Sequence, residues 1–202
     1  MTRLWYATTN NAKVLSLRDR LEPHGFEVVQ RPITIPEPRL DRVEDMAAIK
    51  AMLAYGEIQE PVVANDAGFY IYGINGFPRG FVNFALATIK LDGLIKLAAG
   101  TNRRCEFRHA LAFHDGQVDT PKVFVDTVRG TMAIEPRGTI QPWHWSVLAT
   151  IFIPDGREQT LAEMSEAEYK TWRDSSRDPT YAQQFLNWYR VNRPNTFPGG
   201  QA

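Results

Sequence analysis

Of the 202 residues one is a cysteine, Cys105. A lone thiol excludes an internal disulfide framework and any zinc site built on cysteines. An excess of one charge is missing as well. Lys and Arg total 23, Asp and Glu total 23, and the formal net charge is zero. Proteins that grip long nucleic acid by counterion release carry a basic excess, so a small ligand is expected and a nucleic acid polymer is not. No apolar run approaches the roughly 20 residues that cross a bilayer. The opening MTRLWYATTNNAK lacks the apolar stretch of a signal peptide. The expectation is a reduced, cytoplasmic protein with no membrane partner. The histidines, His24, His109, His114 and His144, have no ligand spacing such as H-x-x-x-H. Neither a G-x-S-x-G elbow nor a G-x-x-x-x-G-K-S/T phosphate loop is present.

What is there suits a packed core: 44% of residues are hydrophobic and 23% charged. Residues 3–8 (RLWYAT) read as a buried strand, 12–21 as a helix with Val14, Leu17 and Leu21 at helical spacing, and 26–30 (FEVVQ) as a second strand. Pro32, Pro36 and Pro38 enforce an extended loop around Glu37. A helix is expected over 43–55, with Met46, Ile49, Met52 and Leu53 on one face. The strand PVVA (61–64) is expected to stop at Asn65-Asp66-Ala67-Gly68. Gly73, Gly76, Pro78 and Gly80 mark a loop before residues 81–89, a short helix is expected over 91–99, and strands over 105–113 and 122–132. A strand over 149–153 and helices over 163–174 and 179–191 complete the pattern. The order predicts an α/β protein with a mixed central sheet, flanking helices, and two lobes with an active-site cleft between them. Residues 1–192 form the expected domain, and 193–202 a flexible tail.

Three polar segments could carry chemistry. Thr8-Thr9-Asn10-Asn11-Ala12-Lys13 opens a helix, where outward N–H groups and Lys13 suit phosphates; an ordinary capped helix start has the same look. Asp66 after PVVA could bind Mg2+ or activate water, or simply start a turn. Glu37, Glu44, Asp45 and Lys50 form an acidic and basic set, in which Glu44 reads as part of a solvated helix face. Trp143-His144-Trp145 reads as core or rim packing.

In this order and spacing the segments resemble the inosine triphosphate pyrophosphatase family over about residues 3–189. Thr8–Lys13 is similar to its T-G-N-x-x-K phosphate turn, with Thr9 where Gly is usual. Ile35-Pro36-Glu37 resembles the segment supplying a metal-binding Glu. Lys50 matches a nucleotide-contacting Lys. Asn65-Asp66-Ala67-Gly68 resembles D/E-D-S/T-G, with Asn65 in place of an acid. Gly76-Phe77-Pro78-Arg79-Gly80-Phe81 resembles G-x-P-G-x-Y, and residues 152–164 continue the match.

The resemblance implies Mg2+ on Glu37 and Asp66, and phosphates on Thr8, Thr9, Asn10, Lys13 and Lys50. It also implies Asp66 and Lys50 as catalytic groups, a nucleoside triphosphate substrate and a homodimer. Nucleotide contacts fall to Asn65, Ala67, Gly68, Phe81, Trp145, Ser146 and Lys170. The departures are concentrated in base recognition. F-G-Y/W-D-P is replaced by Ser146-Val147-Leu148-Ala149-Thr150, and E-K-N and S-H-R by Glu168-Tyr169-Lys170 and Arg173-Asp174-Ser175. The expected activity is a Mg-dependent pyrophosphatase with altered base specificity. The alternative is a catalytically weakened nucleotide-binding or regulatory protein of the same fold.

Overall fold

A six-residue apolar run, a helix and a second run can bury their faces together only if the runs lie side by side, and a helical crossover makes such neighbours parallel. In the computed structural model, which describes residues 1–33, 40–176 and 179–198, β1 (Thr2–Ala7) and β2 (Phe26–Arg31) pair this way. Thr2 lies opposite Phe26, and Ala7 opposite Arg31. Between them runs α1 (Asn11–Leu21), which buries Val14, Leu17 and Leu21. After α2 (Val43–Ile58) the chain enters β3 (Val62–Ile71), which pairs with β1 in parallel, and then the short β4 (Pro78–Arg79), antiparallel to β3. Two helices follow, α3 (Val82–Thr88) and α4 (Lys90–Leu97). The long strands β5 (Arg104–His114) and β6 (Lys122–Met132) precede β7 (Phe152–Pro154), and α5 (Glu166–Ser175) and α6 (Tyr181–Asn192) come last. The sheet order is β2-β1-β3-β5-β6-β7, with β4 on β3. The expected mixed sheet is present.

The chain divides into two compact units. The first holds residues 1–66, 109–126 and 179–202, the second 67–108 and 127–178. In the first, successive strand residues feed opposite clusters, as a pleat requires. Leu4, Tyr6, Val63, Leu111 and Phe113 pack with α1 and α6. Ala7, Val62, Ala64, Ala110 and Ala112 pack with α2. The second unit has its own core, with Phe69, Phe107, Phe152, Leu148 and Trp172 among its members.

Four sequence expectations are corrected. β3 does not stop at Asn65 but continues through Asp66, Ala67 and Gly68 to Ile71, because strands on either side pair with it and a polar pair can sit within a ladder. α2 buries Val43, Met46, Ala47, Ala51 and Ala54, while Met52 and Leu53 face outward. Its alanine stripe lets the helix lie close on a strand surface that is also largely alanine. Residues 147–150 form a helical turn capped by Ser146, so only Phe152–Pro154 is strand there. Arg193–Pro198 are docked and do not fray. Arg193 binds Asp115 at 2.6 Å, Thr2 Oγ1 donates to the Thr196 carbonyl, and the Phe197 ring meets Phe26 and Tyr189. Residues 199–202 lie outside the described residues.

Candidate active site

The turn between β1 and α1 is built from its own polar side chains. Asn10 is the N-cap, its Oδ1 accepting from the Lys13 amide at 3.2 Å, and Thr8 Oγ1 accepts from the Asn10 amide at 3.1 Å. The other early amides of α1 stay outside the intrahelical ladder, at the positive end of the helix. Gln30 clamps the turn from β2, donating to the Thr8 carbonyl at 3.2 Å and to Asn11 Oδ1 at 3.1 Å. Sequence reading missed Gln30. Its only signal is register, since it lies opposite Tyr6 where the two parallel strands end.

Lys13 reaches from α1 to β3, where Nζ lies 3.4 Å from the Asn65 carbonyl. The Asn65 side chain turns to β5 and donates through Nδ2 to the Ala110 carbonyl at 3.0 Å. The next residue, Asp66, meets α2. Lys50 Nζ donates to Asp66 Oδ2 at 2.7 Å, with 15% and 11% of the two side chains exposed. A pair this shielded holds its charges in an environment where they act strongly on whatever binds beside them. Tyr6 lies fully buried nearby. Burial first, then Tyr181 and Asp66, pushes its phenol well above the usual tyrosine range, so it stays neutral.

The first unit thus brings together Thr8, Thr9, Asn10, Lys13, Lys50, Asn65 and Asp66. Glu37 lies outside the described residues. Glu44 departs from its sequence reading: its side chain is 14% exposed, so it is not part of a solvated face. Among the described residues no three His, Cys, Asp or Glu side chains gather as a metal cage. Mg2+ nonetheless suits such a site, because it is commonly held by one or two carboxylates together with substrate phosphates and water. Asp66 supplies one such carboxylate beside a turn fit for phosphate.

Ala67, Gly68, Phe81, Trp145, Ser146 and Lys170 belong to the second unit. Trp145 is 48% exposed and stands edge-on to Phe107, with centroids 4.5 Å apart. The Ser146 hydroxyl is used locally, accepting from the Leu148 amide. Leu148 and Ala149 are buried, and Lys170 lies exposed on α5. Phe81 is the half-buried residue that opens α3. His144 is structural. It accepts from the Gln141 amide on Nδ1 and bonds the Leu161 carbonyl through Nε2, and burial holds its pKa below the usual histidine value. A surface hollow of about 500 Å³ in this unit, lined by Arg129, Asp155, Arg157 and Trp172 among others, contains none of the expected site residues.

The sequence profile of the Ham1 family matches residues 4–177. The chain is 32% identical over 195 residues to a dITP/XTP pyrophosphatase of Thermococcus kodakarensis, covering 94% of this chain and 98% of that one. To the dITP/XTP pyrophosphatase of Hyperthermus butylicus it is 33% identical over 190 residues, 93% of this chain and 95% of the relative. A HAM1 protein from Coxiella burnetii superposes with a TM-score of 0.77 at 19% identity, over 95% of this chain and 99% of its own. That likeness speaks for the fold.

Proposed function

Since the chain belongs to the Ham1 family, we propose that it hydrolyses a nucleoside triphosphate to the monophosphate and pyrophosphate, with Mg2+ as cofactor and an altered base specificity. The observation that carries this reading is the shielded Lys50–Asp66 pair at 2.7 Å, set beside the capped, lysine-bearing start of α1. In the proposed reaction Thr8, Thr9, Asn10 and Lys13, with the first amides of α1, hold the phosphates. Lys50 exchanges its carboxylate partner for phosphate oxygens and offsets the charge that builds in the transition state. Asp66, released from Lys50, orients the attacking water and takes its proton. Mg2+, held by Asp66 and Glu37 with the phosphates, would supply charge neutralisation there.

The altered base preference follows from the second unit. Leu148 and Ala149 are buried apolar groups, and the Ser146 hydroxyl is committed to the backbone. Trp145 offers an exposed ring for stacking, worth about 1–3 kcal/mol per base. Ala67, Gly68, Phe81 and Lys170 complete the proposed nucleotide surface. A homodimer and a cytoplasmic location belong to the same proposal. Light scattering on the purified chain tests the dimer. Among the described residues no helix is long and apolar enough to cross a membrane.

The test is pyrophosphate release across a panel of natural and deaminated nucleoside triphosphates, with and without chelator. Chelator-sensitive release from at least one of them is expected. Release from none overturns the reading. Inosine and xanthosine triphosphates are not expected to be preferred. A specificity constant for inosine triphosphate about a hundredfold above that for adenosine triphosphate would refute the base argument alone.

A further inference from the structure

The segment of the second unit that carries Trp145 is held by a side chain that the proposed reaction does not use. Residues 133–146 form neither helix nor strand. Their first half is pinned by its own backbone. The Ala133, Arg137 and Thr139 amides donate to the Ile151, Thr150 and Ala162 carbonyls at 2.7, 2.8 and 3.2 Å. The second half contains Pro142, which has no N–H to give, and there His144 ties the loop to the helical turn Leu161–Glu163. Its Nδ1 accepts from the Gln141 amide at 3.0 Å, and its Nε2 lies 3.1 Å from the Leu161 carbonyl. One form of the ring satisfies both neighbours: the neutral imidazole with its proton on Nε2. The residue is buried, and the Trp143 and Tyr169 rings stand edge-on to it at 5.7 and 5.1 Å. Among the described residues no carboxylate pairs with it. Glu163, on the same turn as Leu161, is engaged by Thr160 and Arg137. A second proton on the ring would face the Gln141 N–H with nothing to offset it.

Trp145 is flanked by two anchored residues. His144 precedes it, and Ser146 follows, with Oγ accepting from the Leu148 amide at 3.2 Å. Its half-exposed ring stands edge-on to Phe107. Ordering a flexible aromatic side chain at the moment of binding costs affinity, and a chain fixed beforehand avoids that cost. We propose that His144 is a positioning residue for base selection: it fixes the backbone before Trp145, so that the indole is set to stack on the base of the bound nucleotide. The proposal rests on the nucleotide reading above and deepens it. It assigns the base contact to an indole held by a neutral imidazole, a role no residue type or spacing announces.

The experiment is calorimetric binding of adenosine and inosine monophosphates and of ribose 5-phosphate to the wild-type chain, Trp145→Ala, His144→Leu and His144→Asn. Sugar and phosphate are common to these ligands, so the ratio of nucleotide to ribose 5-phosphate affinity reports the base alone. At neutral pH Trp145→Ala should lower that ratio about fivefold or more, the scale of one base–aromatic stack. His144→Leu fills the space without either bond and should lower it about threefold or more. His144→Asn, whose Oδ1 replaces Nδ1 as acceptor for the Gln141 amide, should recover most of that loss. Burial holds the His144 pKa below its ordinary 6.5, so the neutral ring and its bonds are present at neutral pH and are lost on acidification. As pH falls below 6.5 the wild-type ratio should drop toward that of His144→Leu, while His144→Asn, with no titrating group there, keeps its own. If His144→Leu does not fold, as judged by circular dichroism, this pH comparison decides. A wild-type ratio that stays flat at every pH at which the chain is folded, or a folded His144→Leu with the wild-type ratio, overturns the proposal. So does a wild-type chain that binds neither monophosphate more tightly than ribose 5-phosphate. A large ratio in a chain that hydrolyses no nucleotide would sink the hydrolytic reading alone.

Discussion

At the scale of single residues, neighbours in the sequence have opposite assignments. Asp66 faces α2 and pairs with Lys50, whereas Asn65 turns its amide to the Ala110 carbonyl. Asp66→Asn keeps the shape and removes the proposed base. Turnover should fall about 10²–10⁴-fold with the circular dichroism spectrum unchanged. Activity above about a tenth of wild type would refute the role given to Asp66. Asn65 stands where the resembled motif has an acid, but an acid is not interchangeable with it in this chain. Asn65→Asp would set a carboxylate oxygen against a carbonyl oxygen and leave the Ala110 carbonyl without its donor. A loss of about 1–3 kcal/mol in urea unfolding at neutral pH is expected. An equally stable variant would show that the bond to Ala110 contributes nothing. That Lys13, Lys50 and Asp66 come together was legible in the sequence through the family resemblance of the segments that hold them. Gln30 was illegible in that role, since only strand register, opposite Tyr6, brings it to the turn.

At the scale of elements, α2 shows why helical periodicity misplaced a face. Met46, Ile49, Met52 and Leu53 carry the strongest apolar signal, yet Met52 and Leu53 are outside and Ala47, Ala51 and Ala54 are inside. Size decides the orientation, not hydrophobicity alone, since alanine meets alanine across the strand surface. Ala51→Leu should therefore overpack the contact and cost about 1–3 kcal/mol, while Leu53→Ala should change stability by no more than about 0.5 kcal/mol. Thermal or urea unfolding of both variants checks the pair, and the reverse order would restore the face expected from periodicity. β3 failed for a related reason. Asn-Asp before Ala-Gly is a strong turn signal in isolation, but neighbouring strands on both sides keep the backbone extended. The parallel β1–α1–β2 unit was legible because its periodicity and turn chemistry agree.

At the scale of the whole molecule, the first unit is assembled from three separated stretches, the last of which ends the chain. Its closing contacts are therefore long-range, and composition alone, with its prolines and glycines, suggested a frayed end. What docks the end is a side-chain pair. Arg193 binds Asp115 at 2.6 and 3.3 Å, with 4% of the Asp115 side chain exposed. Burial by itself raises the Asp115 pKa. The Arg193 guanidinium and the Gln117 and Val118 amides outweigh it and hold the group below its ordinary 3.8. A carboxyl lowered in the folded state binds fewer protons folded than unfolded. Its stabilisation is complete above the unfolded value and is lost as pH falls through the lower folded one. Arg193→Ala should leave the carboxylate buried without its cation, at a cost of about 3–5 kcal/mol near neutral pH. The difference from wild type should narrow as pH falls below about 4. Hydrogen exchange should locate the change: amides of β1 and β2, which meet the tail through Thr2 and Phe26, lose protection, while those of β7 and α5 in the second unit keep theirs. Uniform loss in both units would mean that the pair supports the molecule as a single cooperative body, and no loss at all would mean that Arg193 is not what holds the chain end in place.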